Sequence, residues 1–227
     1  DVPHAIIYIL SIAFKSLEEA TRIRDKVREK YREKHSMGQA LMVAVVGGGT
    51  TGVELSTELS KFEERLGGNV EVSIFQGEPT LLKEVNQKVS EIARERLQKS
   101  GVNVHLNSRV KKVTKELLEI EDGRTHPYDV LIWTGGIKAN SILSDSGFKM
   151  NEKGELLVNE KLQIESFENI FAVGDIAAGF VCVAQVAEDQ GKTAAENISN
   201  LLKNKELVSY KYKHFGYIVP LGGRFAA

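Results

Sequence analysis

One cysteine, Cys182, is all the chain carries in 227 residues. A single thiol excludes an internal disulfide, a Cys-x-x-Cys redox pair and a thiolate metal cluster. The five histidines, at positions 4, 35, 105, 126 and 214, are scattered without metal-ligand spacing, so no metal site is expected. Neither sign of charge is in excess: 30 Lys and Arg stand against 31 Asp and Glu, for a formal net charge of -1. With the two signs interspersed there is no basic footprint for nucleic acid. No stretch approaches the ~18 consecutive apolar residues of a membrane span. The apolar opening, Ala5–Phe14, is short and follows Asp1-Val2-Pro3-His4, which argues against a secretory signal. The first residue is Asp and not Met, and the chain is expected to be a piece of a longer polypeptide.

What the chain does have is a glycine-rich run, Val43–Glu54, in which a short β-branched strand leads at once into glycines and then an amphipathic helix. That order suits a dinucleotide. Gly47 makes a tight turn, Gly49 lets the backbone approach a pyrophosphate, and Gly52 lets the helix pack close to the strand. The pyrophosphate would sit on the helix N-terminus, with Gly48, Thr50 and Thr51 completing the loop. An ordinary glycine-rich turn is the alternative.

Periodicity orders the rest of the chain. Ser16-Leu17-Glu18-Glu19 is a capping box, and Leu17, Ala20, Ile23, Val27 and Tyr31 form the buried stripe of the helix it starts. A strand at Leu41–Val46 precedes the glycine loop. A helix from about Thr51 to Leu66 is closed by Gly67-Gly68, and Val70–Phe75 alternates as a strand. A helix from about Asn86 to Ser100 stops at Gly101, followed by a strand at Val102–Leu106. From Arg109 to Ile120, β-prone residues alternate with Lys and Glu as an antiparallel meander, before the apolar strand Asp129–Trp133. Beyond Gly147 come strands at Gly154–Val158 and Asn169–Val173, a helix from about Ala184 to Asn204, and a strand at Tyr210–Val219. The expected fold class is α/β: a Rossmann-like nucleotide-binding domain, parallel sheet plus antiparallel meander, then part of a second α/β domain.

Three stretches in this order, Val46–Leu55, Ile132–Lys138 and Asn169–Ile176, together resemble the pyridine-nucleotide oxidoreductases, flavoproteins with two dinucleotide-binding domains. The Trp-x-x-Gly form of the middle stretch, and Ala184-Gln185-Val186-Ala187 with Gln190-Gly191, are most similar to type II NADH dehydrogenases, the NADH:quinone oxidoreductases. The resemblance implies a linking strand and helix over 1–38, an NAD(P)H-binding domain over 39–146, and the C-terminal part of a split FAD-binding domain over 147–227. It also implies that the N-terminal part of the FAD domain and a membrane-docking C-terminal segment lie outside this chain.

Several side chains are singled out. At the end of the second strand, where an acid normally takes the adenosine ribose hydroxyls, stands Gln76. A neutral amide does not repel a 2′-phosphate, so weaker NADH-over-NADPH discrimination is expected, with Glu78 or Lys83 able to tip the balance. Thr134-Gly135-Gly136 ends a strand where small residues let backbone approach the ligand, or simply form a tight turn. By resemblance, Glu54 sits near the nicotinamide and flavin as the catalytic-site carboxylate; its alternative is an acid favoured by the helix dipole. Gly174-Asp175, by resemblance, holds the ribityl chain of FAD. Ala184 and Gln185, by the same analogy, open a helix aimed at the flavin, though Gln185 also suits an ordinary helix N-terminus. The related quinone pattern has Gln where this chain has Asp189, with Gln190 next.

The implied activity passes a hydride from NAD(P)H to FAD and then electrons to a quinone; it requires no general acid, nucleophile or metal for the first half. The implied cofactors are FAD and NADH, with NADPH also admitted. Alternatives are a disulfide, sulfide or small-redox-protein reductase of the same superfamily, or a non-catalytic NAD(H)-binding redox-responsive module. A cytoplasmic location is expected, including the cytoplasmic face of a membrane reached through the absent C-terminal segment; homodimerisation stays open.

Overall fold

The computed structural model describes residues 11–14, 16–66, 69–136, 141–212, 216, 218–223 and 225–227. They group into two compact units: Asp1–Gly136 with Tyr217–Ala227, and Ile137–Gly216. Residues 217–227, read from the sequence as part of the second unit, therefore group with the first.

The first unit begins with β1 (Ile12–Ala13) and α1 (Leu17–Ser36), then β2 (Leu41–Val46), α2 (Thr50–Leu66), β3 (Val70–Phe75), α3 (Gln87–Lys99) and β4 (Asn103–His105). Three short strands follow, β5 (Val110–Val113), β6 (Leu117–Ile120) and β7 (Thr125–Pro127), before β8 (Val130–Trp133). Five strands make one sheet in the order β1-β8-β2-β3-β4, all parallel. The other three form an antiparallel meander, β5-β6-β7.

The sheet is buried on both faces, which is why β2 reads as an unbroken apolar run. Leu41, Val43 and Val45 join Ile23 and Val27 of α1 and Val53 of α2 in one core, whereas Ala44 and Val46 meet the meander through Val110, Val113 and Leu118. At the start of α1 the capping box is formed: Glu19 N–H donates to the Ser16 hydroxyl at 3.2 Å, and Ser16 N–H to the Glu19 carboxylate at 3.1 Å. A cap of this kind contributes about 1 kcal/mol. Helix α1 is also tied down at its other end by Lys34, whose ammonium lies 2.8 Å from Asp129, itself accepting from Met42 N–H. Under the meander, Phe75 stacks on His105 at 4.6 Å, and His126 meets both rings edge-on. Burial holds both imidazoles below the ordinary histidine range, with Arg124 adding to the effect.

Gly67-Gly68, the expected stop of α2, lies outside the described residues. The expected strand at Tyr210–Val219 lies partly outside them, and no strand is formed by its described residues. Val219 instead packs, with Leu221, into the core of the first unit. Gly223 N–H donates to Glu58 on α2, and the Arg96 guanidinium lies over the Phe225 ring.

The second unit contains α4 (Ala184–Leu202) and two 3-10 turns, Ser141–Ser146 and Gly174–Ile176. The strands expected at Gly154–Val158 and Asn169–Val173 are reduced to isolated bridges, including Met150–Leu156, Val158–Ile164 and Gln163–Phe171. Around the first of these, asparagine side chains capture backbone N–H groups that a ladder would use. Asn151 Oδ1 accepts from Lys153 and Glu155, and Asn159 Oδ1 from Lys161 and Gln163.

Candidate nucleotide-binding site

The glycines from the end of β2 into α2 meet different surroundings. Gly47 has φ +116°, its N–H donates to the Phe75 carbonyl, and a Cβ there would lie 2.8 Å from the Gly135 nitrogen and the Thr134 hydroxyl. Gly52 sits in the first turn of α2, where a Cβ would fall 1.9 Å from the Gly47 carbonyl oxygen. Only glycine lets the helix begin so close to the strand end. A Cβ on Gly48 would collide with Leu81 and Gln76, whereas one on Gly49 would meet nothing within 4 Å. Gly49 is thus the point at which backbone, bare of side chain, faces open space.

That space is a cavity of about 550 Å³ along the C-terminal ends of β2, β3 and β8. Gly47, Gly48, Gly49, Gln76, Thr134, Gly135 and Gly136 all line it. The ends of parallel strands, beside a glycine loop and a helix start, are where α/β sheets receive dinucleotides. No acid occupies the first turn of α2, so its unpaired N–H groups and dipole are left for an anion.

The side chains around the loop fix its shape. Gln76 Oε1 accepts from Gly48 N–H at 3.2 Å, and its Nε2 donates to the Thr80 carbonyl. The amide is therefore committed to the loop as well as lining the cavity. From the other side, the Thr134 hydroxyl lies 3.0 Å from the Val46 carbonyl and 3.1 Å from that of Gly47. Trp133 turns its indole N–H onto the Gly135 carbonyl at 3.0 Å, a packing role for the ring.

Thr50 and Thr51 open α2 and are exposed; like Gly52, they do not line the cavity. Glu54 is the fifth residue of α2, past its first turn. It is exposed and likewise outside the cavity lining.

Gly174, Asp175, Ala184 and Gln185 belong to the second unit. Gly174 has φ +73°, and its N–H donates to Gln190 Oε1 at 2.7 Å. Gln190 is fully buried on α4, so it anchors the turn that leaves Asp175 exposed. Ala184 and Gln185 are exposed at the start of α4, where Val183 supplies no side-chain cap. Cys182 is exposed by area, yet its thiol is pushed above the ordinary range by partial burial and then by the Asp175 and Glu155 carboxylates. A thiol so placed is a poor nucleophile.

Three residues around the cavity had no signal in the sequence. Leu82, in the left-handed region at φ 51°, donates its N–H to the Gly48 carbonyl at 2.8 Å. Arg109 and Lys111 reach the cavity from the entry to the meander, where alternation reads only as a strand. A bulge between Val110 and Lys112 breaks that alternation, and bulges re-aim side chains. No group of His, Cys, Asp and Glu among the described residues could hold a metal ion.

Residues 10–191 match the family described as pyridine nucleotide-disulphide oxidoreductase. The chain belongs to that family. Among its relatives is the type II NADH:quinone oxidoreductase of Haemophilus influenzae, 32% identical over 196 residues, covering 79% of this chain and 44% of that enzyme. The chain thus spans less than half of that relative's length. Among solved structures, NDH2 of Plasmodium falciparum in complex with NADH has a TM-score of 0.66 at 25% identity, over 75% of this chain and 40% of that one. Reduced CoADR-RHD of Bacillus anthracis has a TM-score of 0.75 over 97% of this chain and 38% of that one. At 18% identity this second likeness concerns the family's α/β fold alone.

Proposed function

We propose that this oxidoreductase chain binds NAD(P)H in the cavity of its first unit and serves a flavoprotein that passes the hydride to FAD and the electrons on to a quinone. The observation that carries the reading is the Gly47–Gly52 loop, closed so tightly on itself that no side chain fits at 47 or 52 while Gly49 lies open. Family membership and the kinship with a type II NADH:quinone oxidoreductase support it.

On this reading residues 39–146 bind the nicotinamide nucleotide, residues 1–38 lead into them, and the part of 147–227 that lies in the second unit contributes the C-terminal part of an FAD domain, while 217–227 pack with the first unit. Backbone N–H groups at the start of α2 hold the diphosphate. Thr134-Gly135-Gly136 give the nucleotide a side-chain-free wall. Glu54 accepts a hydrogen bond from the nicotinamide carboxamide. Asp175 accepts from a ribityl hydroxyl, and Ala184 and Gln185 present the N-terminus of α4, whose dipole favours negative charge on a reduced ring. When bound, the flavin supplies the two-electron acceptor. Among the described residues no helix is long and apolar enough to cross a membrane. On this reading, contact with a quinone pool is made by peripheral association at the cytoplasmic face of a membrane.

The test is a purified polypeptide that includes this chain, assayed for flavin colour and for loss of NADH absorbance with a soluble quinone. Flavin uptake with turnover is expected. Nucleotide binding with neither flavin nor turnover would replace the enzyme by a redox-responsive binding module.

A further inference from the structure

The cavity has a charged end that the diphosphate does not explain. Where β3 finishes, the chain runs Gln76-Gly77-Glu78, and the segment after β4 is laced to it. Gln76 N–H donates to the His105 carbonyl, Ser108 N–H to the Gln76 carbonyl, and Asn107 N–H to the Glu78 carbonyl. Glu121 N–H closes on the Arg109 carbonyl from the meander. These bonds hold Arg109 against the strand end, and its guanidinium lies over Gly77, near 3.4 Å from where a Cβ would stand. A larger residue at 77 would push it away.

The guanidinium is poorly satisfied for a group with five donors. Its Nη2 is 3.4 Å from Glu78 and its Nε 3.7 Å from Glu121, both exposed and both long for charge-assisted bonds. Lys83 and Lys111 line the same cavity. The strand-end position beside it, which in NADH-selective sites carries an acid for the ribose hydroxyls, is the uncharged Gln76, already engaged with Gly48 and Thr80.

We propose that Arg109 is the residue with which this cavity receives a 2′-phosphate, so that the chain accepts NADPH beside NADH, and that Glu78 and Glu121 hold the guanidinium in place when no phosphate is present. This rests on the cavity being the nicotinamide-nucleotide site. A planar fork meets a phosphate with two parallel bonds, which neither carboxylate obtains at its present distance. Gln76 leaves the phosphate unrepelled, and Arg109 supplies the attraction.

The experiment is calorimetric titration of the 227-residue chain with NADPH, with NADH and with inorganic phosphate, repeated for Arg109→Gln, Arg109→Lys and Glu78→Gln. Arg109→Gln should weaken NADPH about tenfold or more and leave NADH within about twofold. Arg109→Lys should fall between, keeping the charge without the fork. Glu78→Gln should tighten NADPH several-fold, and the salt dependence of NADPH binding should shrink in Arg109→Gln. Inorganic phosphate alone should not compete at concentrations near those used for NADPH. Equal losses for both nucleotides in Arg109→Gln, or no loss for either, would overturn the assignment while leaving the nucleotide site intact. Absence of binding by the unmodified chain to either nucleotide would overturn the site reading and this one with it.

Discussion

The two units are held together by different means. The first rests on a parallel sheet with apolar residues on both faces, so its stability is spread over many aliphatic contacts. The second has a small core around Leu156, Ile164 and Ala172, and its buried amides Gln163, Gln190 and Asn197 bond to backbone groups. Asn197 is the clearest: fully buried, it donates to the Lys161 and Val208 carbonyls and accepts from Val208 N–H. The lesson concerns where each unit is vulnerable. A sheet core tolerates the loss of one apolar contact better than an intruding atom where backbone touches backbone. An amide-held unit fails when one polar atom loses its partner.

The sharpest break of that contrast is Gly52→Ala. With a Cβ placed 1.9 Å from the Gly47 oxygen, α2 must shift, and we expect a loss of about 3 kcal/mol, read as a lower Tm and lost nucleotide binding. Hydrogen exchange should rise in β2, α2 and β8 while α4 keeps its protection. Asn197→Leu should do the converse at a cost of about 2 kcal/mol, since three backbone bonds are left open. Protection should then fall in α4 and around Val208 with the glycine loop unaffected. If the two variants gave the same exchange pattern, the units would not be separately stabilised.

A milder effect belongs to pH. His105 and His126 both titrate below 6.5 in the folded chain, so the unfolded chain binds more protons as pH falls from there. The first unit should keep its full stability above about pH 6.5 and lose it progressively as pH drops toward the lowered folded values. His105→Phe, which preserves a ring against Phe75, should flatten part of that slope in thermal melts taken across this range. The smallest effect is expected from Lys192→Ala. Its pairing with Glu188 on α4 is fully solvent-exposed, and no resolvable change in Tm should follow.

Much of the first unit could be read from the chain. The helices at 17–36 and 87–99 announce themselves by period, the first also by its Ser16 capping box and the second by its Gly101 stop, and the glycine spacing locates the cavity. The second unit was less legible. Leu156 and Val158 have strand composition, but Asn151 and Asn159 on either side divert N–H groups into local turns, an outcome that β-propensity does not register. Arg109 escaped notice for a related reason. Its place beside Gly77 follows from backbone bonds between segments some thirty residues apart, which no local pattern encodes. Glu54, two positions after Gly52, is exposed on α2 and outside the cavity lining, so its assigned role comes from the family resemblance and not from the cavity's geometry.

The Thr134 hydroxyl carries one hydrogen and has two carbonyls in reach, those of Val46 and Gly47. Whichever it serves, the end of β8 is latched to the bend of the loop before any ligand arrives. That contact is made in advance, so less freedom has to be surrendered there on association. Ligands should dock at rates set by encounter, and differences between competing nucleotides should show up in how long each one stays.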